Sequence, residues 1–170
     1  PGVRLDEQHP LVPDSAYGAY KASVEAFCHA QFMAKSMETT IFRPVGIYGI
    51  DPIIAHSEWF GLIKDIKDGV DVEVCGGGKV VHGEDVAMAI NLAVGNREAS
   101  GKVYNLVDFY IDDLSIAQMA GQMCTAKSRI KGTPKKPIHT MENCQSQMLG
   151  VRYVGNSGLR DYIKQLLSLI

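Results

Sequence analysis

The stretch EQHPLVPDSAYGAYKASVE, residues 7–25, joins an extended, proline-punctuated segment to the start of a helix. Its two prolines disfavour a helix before residue 14, and Asp14 or Ser15 can cap one there. Apolar residues then recur at helical spacing to about residue 37. In that helix Tyr17 and Lys21 lie on one face, roughly 6 Å apart along the axis. The stretch therefore predicts a long helix that presents a tyrosine and a lysine side by side.

A tyrosine beside a lysine is a sensible proton-transfer unit. A phenol is a poor base near neutral pH because its reference pKa is about 10. A neighbouring ammonium and the positive end of a helix dipole both stabilise the phenolate, which suits the pair to a reacting alcohol or ketone. With 7 tyrosines in the chain, however, roughly one Y-x-x-x-K pair arises by chance in every two such sequences. The pair alone does not establish an active site.

Beyond this helix, strand and helix patterns alternate along the chain. Strands are predicted at residues 39–42, 70–75, 79–82 and 102–107, and helices at 57–67, from 84–85 onward, at 114–123 and at 159–169. The glycine run 76–78 is predicted to be a tight turn, and 155–158 a turn with a helix cap. His82 and Asp85 are interpreted as a strand end and a helix cap rather than a catalytic dyad. The alternation predicts an α/β fold with parallel strand pairing.

Four blocks of sequence follow one another over the first two thirds of the chain. They are residues 7–25, RPVGIYG at 43–49, VHGEDVAMAI at 81–90 and GKVYNL at 101–106. In this order they resemble the active-site segment, the R-P-x-x-x-Y-G turn, the V-H-V-x-D-V-A-x-A-I helix start and the G-x-x-Y-N-V strand of extended short-chain dehydrogenases. Four ordered blocks are far more specific than one. The chain is identified as a member of that family, the NAD-dependent epimerases and dehydratases.

The resemblance implies the C-terminal part of a Rossmann-like, doubly wound parallel sheet together with the small substrate-binding α/β subdomain. Residues 1–170 would form a single domain, the catalytic-tyrosine and substrate-side portion, with the N-terminal dinucleotide-binding half absent. No G-x-x-G-x-x-G motif follows a strand near the start, and the catalytic Ser or Thr expected before the tyrosine is missing as well. A natural truncation and a fragment from cloning or proteolysis both fit this expectation.

The resemblance also implies roles for particular residues. Tyr17 would be the catalytic acid/base, and Lys21 would hydrogen-bond the nicotinamide ribose and stabilise the tyrosinate. The turn Pro44-Val45-Gly46 would lie against the nicotinamide carboxamide and the substrate. Tyr17, Lys21 and this turn are thus the expected cofactor contacts, with NAD or NADP in the intact enzyme and neither bound to this chain alone. The choice of cofactor, and the choice among epimerase, dehydratase and reductase, stay open.

Two departures from the family pattern bear on the substrate, a small molecule with a reacting hydroxyl or keto group. Gly46 stands where many nucleotide-sugar enzymes have Asn, and the connection 76–82 lacks the Arg that commonly grips a substrate diphosphate. Arg43, Arg97 and Arg152 are the arginines that could compensate. A nucleotide sugar is therefore less strongly indicated than family membership alone would imply. The alternative function is a non-enzymatic remnant, a binding or interaction module that keeps the substrate-side fold.

The family's tyrosine-bearing helix commonly packs against its twin in a homodimer. The resemblance therefore allows the apolar face of the corresponding helix here to be a subunit interface rather than core. That face carries Phe27, Ala30, Met33, Ala34 and Met37. A homodimer through the Tyr17 helix is the protein partner that follows from the resemblance.

Composition argues against several other classes of function. A net charge of −2 gives no electrostatic reason to expect a nucleic acid or an anionic membrane as partner. Cys28, Cys75, Cys124 and Cys144 are scattered, without C-x-x-C or histidine at zinc-ligand spacing, so no metal site is expected. Thiols in this pattern predict a reducing, cytoplasmic location, and no apolar run has the length needed to span a bilayer.

Overall fold

A computed structural model describes residues 2–125 and 127–170 of the chain. The strands are β1 (Arg4–Leu5), β2 (Ile41–Pro44), β3 (Gly46–Tyr48), β4 (Val72–Val74), β5 (Gly77–His82), β6 (Val103–Leu106), β7 (Phe109–Asp112), β8 (Ile130–Gly132) and β9 (Thr140–Met141). The helices are α1 (Ala16–Met33), α2 (Phe60–Lys67), α3 (Gly83–Ala93), α4 (Asp113–Met123), α5 (Cys144–Leu149) and α6 (Gly155–Leu169), with 3-10 turns at Ile54–His56 and Arg97–Ala99. The predicted alternation is present, with several short elements added to it.

Parallel pairing dominates the sheets. β2 pairs with β6, from Ile41 opposite Val103 to Pro44 opposite Leu106. β3 pairs in parallel with β5, and β7 lies antiparallel along the other edge of β5. Two further parallel pairs, β1 with β9 and β4 with β8, join distant parts of the chain. The predicted α/β class with parallel strands is therefore confirmed.

Two hydrophobic clusters hold these layers together. The larger lies between α2, α4, α6 and the β3–β5–β7 sheet, and the smaller lies between α3 and the β2–β6 pair. The buried centre of the larger cluster includes Tyr48, Ile63, Ile66, Ile116, Leu159, Ile163 and Leu166. The smaller includes Val81, Ala89, Tyr104, Leu106 and Val151, with Phe42 packed against it. Each large apolar side chain buried in this way stabilises the fold by about 1.5–3 kcal/mol.

The single tryptophan of the chain packs against the larger cluster. Trp59 has a φ of +58° at the start of α2, and its ring centroid lies 5.7 Å from that of Tyr48 and 6.3 Å from that of Tyr162. Tyr48 also meets the edge of the His82 ring, with centroids 5.0 Å apart. Tilted and edge-on contacts are the favoured geometry for such rings. The cluster therefore ties the start of α2 to β3 and α6.

The prediction of a tight turn at residues 76–78 is wrong, because Gly77 and Gly78 already belong to β5. Gly77 has a φ of +154° and pairs with Asp112 on β7. A Cβ added at Gly77 would lie 2.8 Å from the Asp112 Cα and 2.9 Å from the Ile111 carbonyl oxygen. The glycine therefore permits a close approach of two strand backbones.

Residues 155–158 already belong to α6 and form its first helical turn. The prediction of a loop turn before the helix is therefore wrong. The Val154 N–H donates to Asp85 Oδ2 at 3.4 Å, and the Gly155 N–H donates to Asp108 Oδ2 at 2.7 Å. Acceptors from distant parts of the chain thus satisfy the first N–H groups of the helix. Since no local side chain caps this helix, its start could not be recognised from the neighbouring residues.

α1 carries an apolar surface that the described residues of this chain do not cover. Ser15 Oγ accepts the Gly18 N–H at 3.1 Å, as a cap at Ser15 predicts, but the helix ends at Met33 instead of near Met37. None of its 18 residues is buried. Phe27 is 71% exposed and Met33 is 65% exposed. The periodic apolar residues of this helix are therefore not part of either core cluster.

No helix among the described residues combines the length and the apolar character that crossing a membrane requires.

Candidate active site

The tyrosine and lysine predicted to act together lie in the first turns of α1. Lys21 Nζ is 5.4 Å from the centre of the Tyr17 ring and 5.9 Å from the centre of the Tyr20 ring. Tyr17 is 71% exposed. Within residues 2–125 and 127–170 the ion pairs involve other side chains, so the Lys21 ammonium has no carboxylate partner there. Its charge is therefore available to an anionic or hydroxyl-bearing group beside Tyr17.

α1 runs antiparallel to β2. Towards the end of the helix the Cys28 carbonyl accepts a hydrogen bond from Thr39 Oγ1 at 3.2 Å, just before β2 begins. Glu25, one turn earlier, pairs with Arg43 near the end of β2. The first turn of α1 consequently lies beside the carboxyl end of β2. Ligand sites of parallel α/β sheets form at the carboxyl ends of the strands.

A groove of about 600 Å³ separates α1 from β2. Tyr17, Lys21 and Pro44 all line it. The structure therefore brings together three of the five residues predicted to contact cofactor or substrate. A phenol and a cation at the rim of one groove can together exchange a proton with a bound alcohol or ketone.

Val45 and Gly46 do not line this groove. The Val45 N–H donates to the Leu106 carbonyl at 3.2 Å, and Gly46 begins β3. A Cβ added at Gly46 would lie 3.2 Å from the Lys79 carbonyl oxygen. The glycine that replaces the family's Asn therefore allows β3 to pair closely with β5.

Arg43 fixes α1 to the sheet, a role that the sequence pattern did not reveal. Its Nε donates to Glu25 Oε2 at 3.0 Å, and its Nη2 lies 2.5 Å from Glu25 Oε1. The Nη1 atom donates to the Glu7 carbonyl at 3.2 Å. Less than one fifth of the side-chain surface of Arg43, and of Glu25, is exposed. A bidentate pair of this kind is committed to the framework, so Arg43 is not free to hold a substrate phosphate.

Glu7 anchors the segment that leads into α1. Its Oε1 accepts the Asn105 N–H at 3.0 Å, which satisfies a backbone donor on the side of β6 away from β2. Together with the Arg43 contact, this bond holds residues 7–15 near the carboxyl end of the sheet. One sequence feature placed Glu25 near the site: it follows Lys21 by four residues and therefore lies on the same helical face. Nothing local indicated Arg43 as its partner.

His82 ends β5, as predicted, but it is His82 and not Asp85 that caps α3. His82 Nδ1 accepts the Glu84 N–H at 3.2 Å at the start of α3. Asp85 is fully buried and turned towards the start of α6. Burial raises the pKa of the Asp85 carboxyl, against a lowering by the Val154 N–H, and burial likewise raises the pKa of Asp108. These groups support the framework and do not line the groove beside Tyr17.

In the part of the chain that the structure describes, no three His, Cys, Asp or Glu side chains are grouped as a metal site would require.

Comparison with protein families gives a match over the first part of the chain. The model described as "NAD dependent epimerase/dehydratase family" matches residues 1–106, more than half of the chain. A comparison with curated protein sequences gives no match.

Solved structures of similar fold include three enzymes. A UDP-galactose 4-epimerase shares 20% identity with a TM-score of 0.77, over 98% of this chain and 58% of that one. UDP-glucuronic acid 4-epimerase from Bacillus cereus, solved with UDP-glucuronic acid and NAD, shares 22% identity with a TM-score of 0.72, over 99% and 56%. dTDP-glucose 4,6-dehydratase from Streptomyces venezuelae, solved with NAD and TYD, shares 18% identity with a TM-score of 0.70, over 96% and 54%. The chain thus spans little more than half the length of these relatives, and the similarity is one of fold.

Proposed function

The chain belongs to the NAD-dependent epimerase/dehydratase family, and from that premise we propose that Tyr17 is the acid/base of a reaction at a hydroxyl or keto group. The whole protein would be an NAD(P)-dependent epimerase, dehydratase or reductase. These 170 residues would supply its tyrosine and its substrate side. They would be inactive without the part of the fold that holds the cofactor diphosphate.

One observation carries this proposal more than any other. Tyr17 and Lys21 share a face of α1 at the carboxyl end of β2, in a groove that Pro44 also lines. A structural tyrosine would be expected to pack or to donate a hydrogen bond inside the fold. Tyr17 instead is largely exposed, beside an ammonium that no carboxylate of the described residues neutralises.

The chemistry assigned to these side chains is a proton transfer. A substrate hydroxyl within hydrogen-bond reach of Tyr17 Oη would give its proton to the phenolate, and a keto group would receive one from the phenol. The Lys21 ammonium would stabilise the phenolate through its charge. Uptake and return of a hydride is the chemistry that NAD or NADP supplies when bound.

The residues present fit one end of that cofactor. A free ammonium suits the ribose hydroxyls, and the groove beside it would admit the nicotinamide next to Tyr17, with Pro44 at its edge. Val45 and Gly46, the rest of the proposed contact, continue from Pro44 into β3. The sequence holds no glycine-rich strand–turn–helix that would suit the diphosphate.

The proposal is tested by Tyr17→Phe in the full-length natural protein, with Tyr20→Phe as the matched control. Both rings lie about equally far from Lys21. Conversion of UDP-galactose, UDP-glucuronic acid and dTDP-glucose with NAD or NADP would be followed by chromatography. Loss of the general acid/base should lower kcat by roughly 10²–10⁴-fold, whereas Tyr20→Phe should leave it nearly unchanged.

Unchanged turnover in Tyr17→Phe would exclude Tyr17 as the acid/base. A full-length protein that binds neither cofactor would instead support the non-enzymatic alternative, a binding module that keeps this fold.

The substrate is proposed to be a small molecule, and nucleotide sugars are the first class to test because the similar solved enzymes are named for them. Two features favour a substrate that depends less on diphosphate contacts. Arg43 is held by Glu25 and Glu7, and Gly46 offers no side chain. Arg97 and Arg152 are exposed, but neither lines the groove beside Tyr17.

We further propose a homodimer through the outer face of α1, the face turned away from β2. Its large apolar members are Tyr20 and Phe27, which are 62% and 71% exposed, and they alternate at helical spacing with the small residues Ala16, Ser23 and Ala30. Large rings flanked by small residues allow two helices to pack closely. Because none of the residues of α1 is buried, a partner helix would bury apolar surface that is otherwise exposed.

Phe27→Glu should weaken this dimer because it would place a carboxylate in the helix contact. Light scattering after size exclusion would report the mass, with Met148→Glu on α5 as control, since Met148 is 81% exposed on another part of the surface. A full-length protein that is monomeric before any substitution would refute the proposed dimer.

A cytoplasmic location is also proposed. All four cysteines are free thiols in the structure, which accords with a reducing compartment.

A further inference from the structure

The strand β8 has one open edge. Its other edge pairs in parallel with β4, where the Val72 N–H donates to the Arg129 carbonyl at 3.0 Å. In a parallel pair, successive residues turn their backbone groups to opposite sides, so those of Ile130 and Gly132 point away from β4. Among residues 2–125 and 127–170 no strand pairs with that side of β8. The Ile130 N–H and carbonyl and the Gly132 N–H are therefore available to a further strand.

Positive charge is concentrated on and around this strand. Residues 114–141 contain no acidic side chain. They contain five cations, which are Lys127, Arg129, Lys131, Lys135 and Lys136. All of these are exposed, and none takes part in an ion pair with another described residue. A chain whose net charge is −2 thus carries a local excess of positive charge beside one open strand edge.

The geometry of β8 turns two of these cations to solvent. Ile130 packs against the larger hydrophobic cluster, and side chains alternate between the two faces of a strand. Arg129 and Lys131 therefore lie together on the solvent-facing side. Glu73 on β4 is in register with Lys131, but no ion pair joins the two. The positive charges of this face are therefore available to a neighbour on the open side of β8.

The charge and the backbone together define the occupant that this edge fits. Two copies of β8 would bring Arg129 and Lys131 beside the same cations of the partner, and like charges across strands are destabilising. A nucleic acid fits the charge but not the backbone, because the phosphates that would meet the cations carry no N–H for the Ile130 carbonyl. An extended peptide with acidic side chains satisfies both requirements.

We propose that the open edge of β8 binds an extended acidic segment of another protein by strand addition. The backbone of that segment would bond Ile130 and Gly132, as in other cases in which a peptide adds to a sheet edge. Its carboxylates, two residues apart, would lie beside Arg129 and Lys131 on the solvent-facing side. The lysines that follow β8 would speed the association through their charge. None of these residues lines the groove beside Tyr17, so the inference holds whether or not Tyr17 is catalytic.

Titration of the full-length natural protein with a labelled peptide tests the proposal. The probe is a blocked heptapeptide in which glutamate alternates with threonine, and fluorescence anisotropy at low salt measures its binding. Saturable binding is expected, and exchange of the Ile130 and Gly132 amides should slow by about tenfold or more at saturation. No saturable binding, or unchanged exchange of both amides, would overturn the proposal.

A second peptide separates strand addition from simple charge attraction. Replacing the central threonine of the probe by proline keeps every carboxylate but removes a backbone donor, because proline cannot donate to a ladder. The affinity should therefore fall by about tenfold or more. Equal affinity of the two peptides would refute strand addition, and so would tighter binding of a single-stranded oligonucleotide at this edge.

Charge reversal on β8 locates the binding surface. Arg129→Glu combined with Lys131→Glu should weaken binding of the acidic peptide by about tenfold or more, because carboxylates would then face carboxylates. The matched control is Arg160→Glu combined with Lys164→Glu, which makes the same change of net charge at exposed positions of α6. Equal losses of affinity in the two double variants would show that the peptide does not bind at β8.

Discussion

At the scale of single residues, the contact between Arg43 and Glu25 decides where Tyr17 stands. The pair fixes α1 against β2 two turns from the tyrosine, and the Glu7 carbonyl ties the preceding segment to the same guanidinium. A small shift of this pair would move the phenol along the groove. Correct placement of the acid/base therefore depends on a residue that does not itself touch a substrate.

Arg43→Met should destabilise the fold markedly. The substitution leaves the Glu25 carboxylate largely buried without its partner, which costs about 2–4 kcal/mol. Lys64→Met is the control, because Lys64 and Asp68 form an exposed pair one helical turn apart, whose contribution to stability is small because solvent screens it. Urea unfolding would measure both, and a loss in Arg43→Met no larger than that in Lys64→Met would contradict this account.

Asp85 should make the stability depend on pH. Because burial raises its pKa, the folded state holds the proton more tightly than the unfolded state does. The free energy of unfolding should therefore fall as the pH rises from about 4 through the raised pKa. Burial also raises the pKa of Asp108, so its titration should likewise lower the free energy of unfolding as the pH rises.

Asp85→Asn keeps an oxygen for the Val154 N–H and removes the titration at this position. The variant should show a flatter profile of unfolding free energy between about pH 4 and pH 7, and at neutral pH it should be at least as stable as the parent. Asp161→Asn, on an exposed position of α6, is the matched substitution for comparison. An identical slope for Asp85→Asn would show that Asp85 does not contribute the pH dependence.

At the scale of elements, local signals located five of the six α-helices among the described residues; they missed α5 and placed the start of α6 four residues too late. Ser15 caps α1 as predicted, and the strand predicted at residues 39–42 lies two residues later, at Ile41–Pro44. The start of α6 depends on Asp85 and Asp108, which are 69 and 47 residues away from the N–H groups they accept. No window of neighbouring residues contains that information.

The glycines of β5 show the same limit. A run of three glycines predicts a turn when only the local backbone preference is considered. The structure places Gly77 in a strand because β7 approaches it too closely for any side chain. β7 itself, Phe109–Asp112, was not predicted, and so the reason for the glycine could not be seen.

Gly77→Ala should therefore destabilise the protein by about 2 kcal/mol or more, because the new Cβ would press on the backbone of β7. Gly78→Ala is the matched control: nothing lies within 4 Å of an added Cβ there. Its effect should be within about 1 kcal/mol and could be stabilising, since alanine restricts the unfolded chain. Urea midpoints at constant m value would separate the two, and equal midpoints would remove the steric explanation.

At the scale of the whole molecule, the order of four sequence blocks was enough to predict the family and the parallel α/β class. Those properties rest on many residues together. Of the predicted site residues, Tyr17, Lys21 and Pro44 share a groove because helix and strand geometry place them there, and their roles stay predictions. Two features could be recognised only in the folded chain. One is the ion pair of Arg43, and the other is the pairing of β1 with β9, two strands that are more than 130 residues apart in the sequence.

The 170-residue chain alone should show no saturable binding of NAD(H) or NADP(H) by calorimetry. Lys21, Tyr17 and Pro44 could contact the nicotinamide end, but neither glycine run forms a phosphate loop, since one lies in β5 and the other begins α6. The full-length natural protein, titrated under the same conditions, is the control. Micromolar affinity of the chain alone would overturn the prediction.

Trp59 gives the molecule a fluorescent reporter of one region only. Its indole lies against Tyr48 and Tyr162, at distances where tyrosine excitation passes efficiently to tryptophan. Emission should therefore report the separation of α2 from α6 and should not change with events at α1, where Tyr17 is found. Comparing tryptophan emission with far-ultraviolet dichroism would reveal whether the two ends of this chain melt together or one after the other.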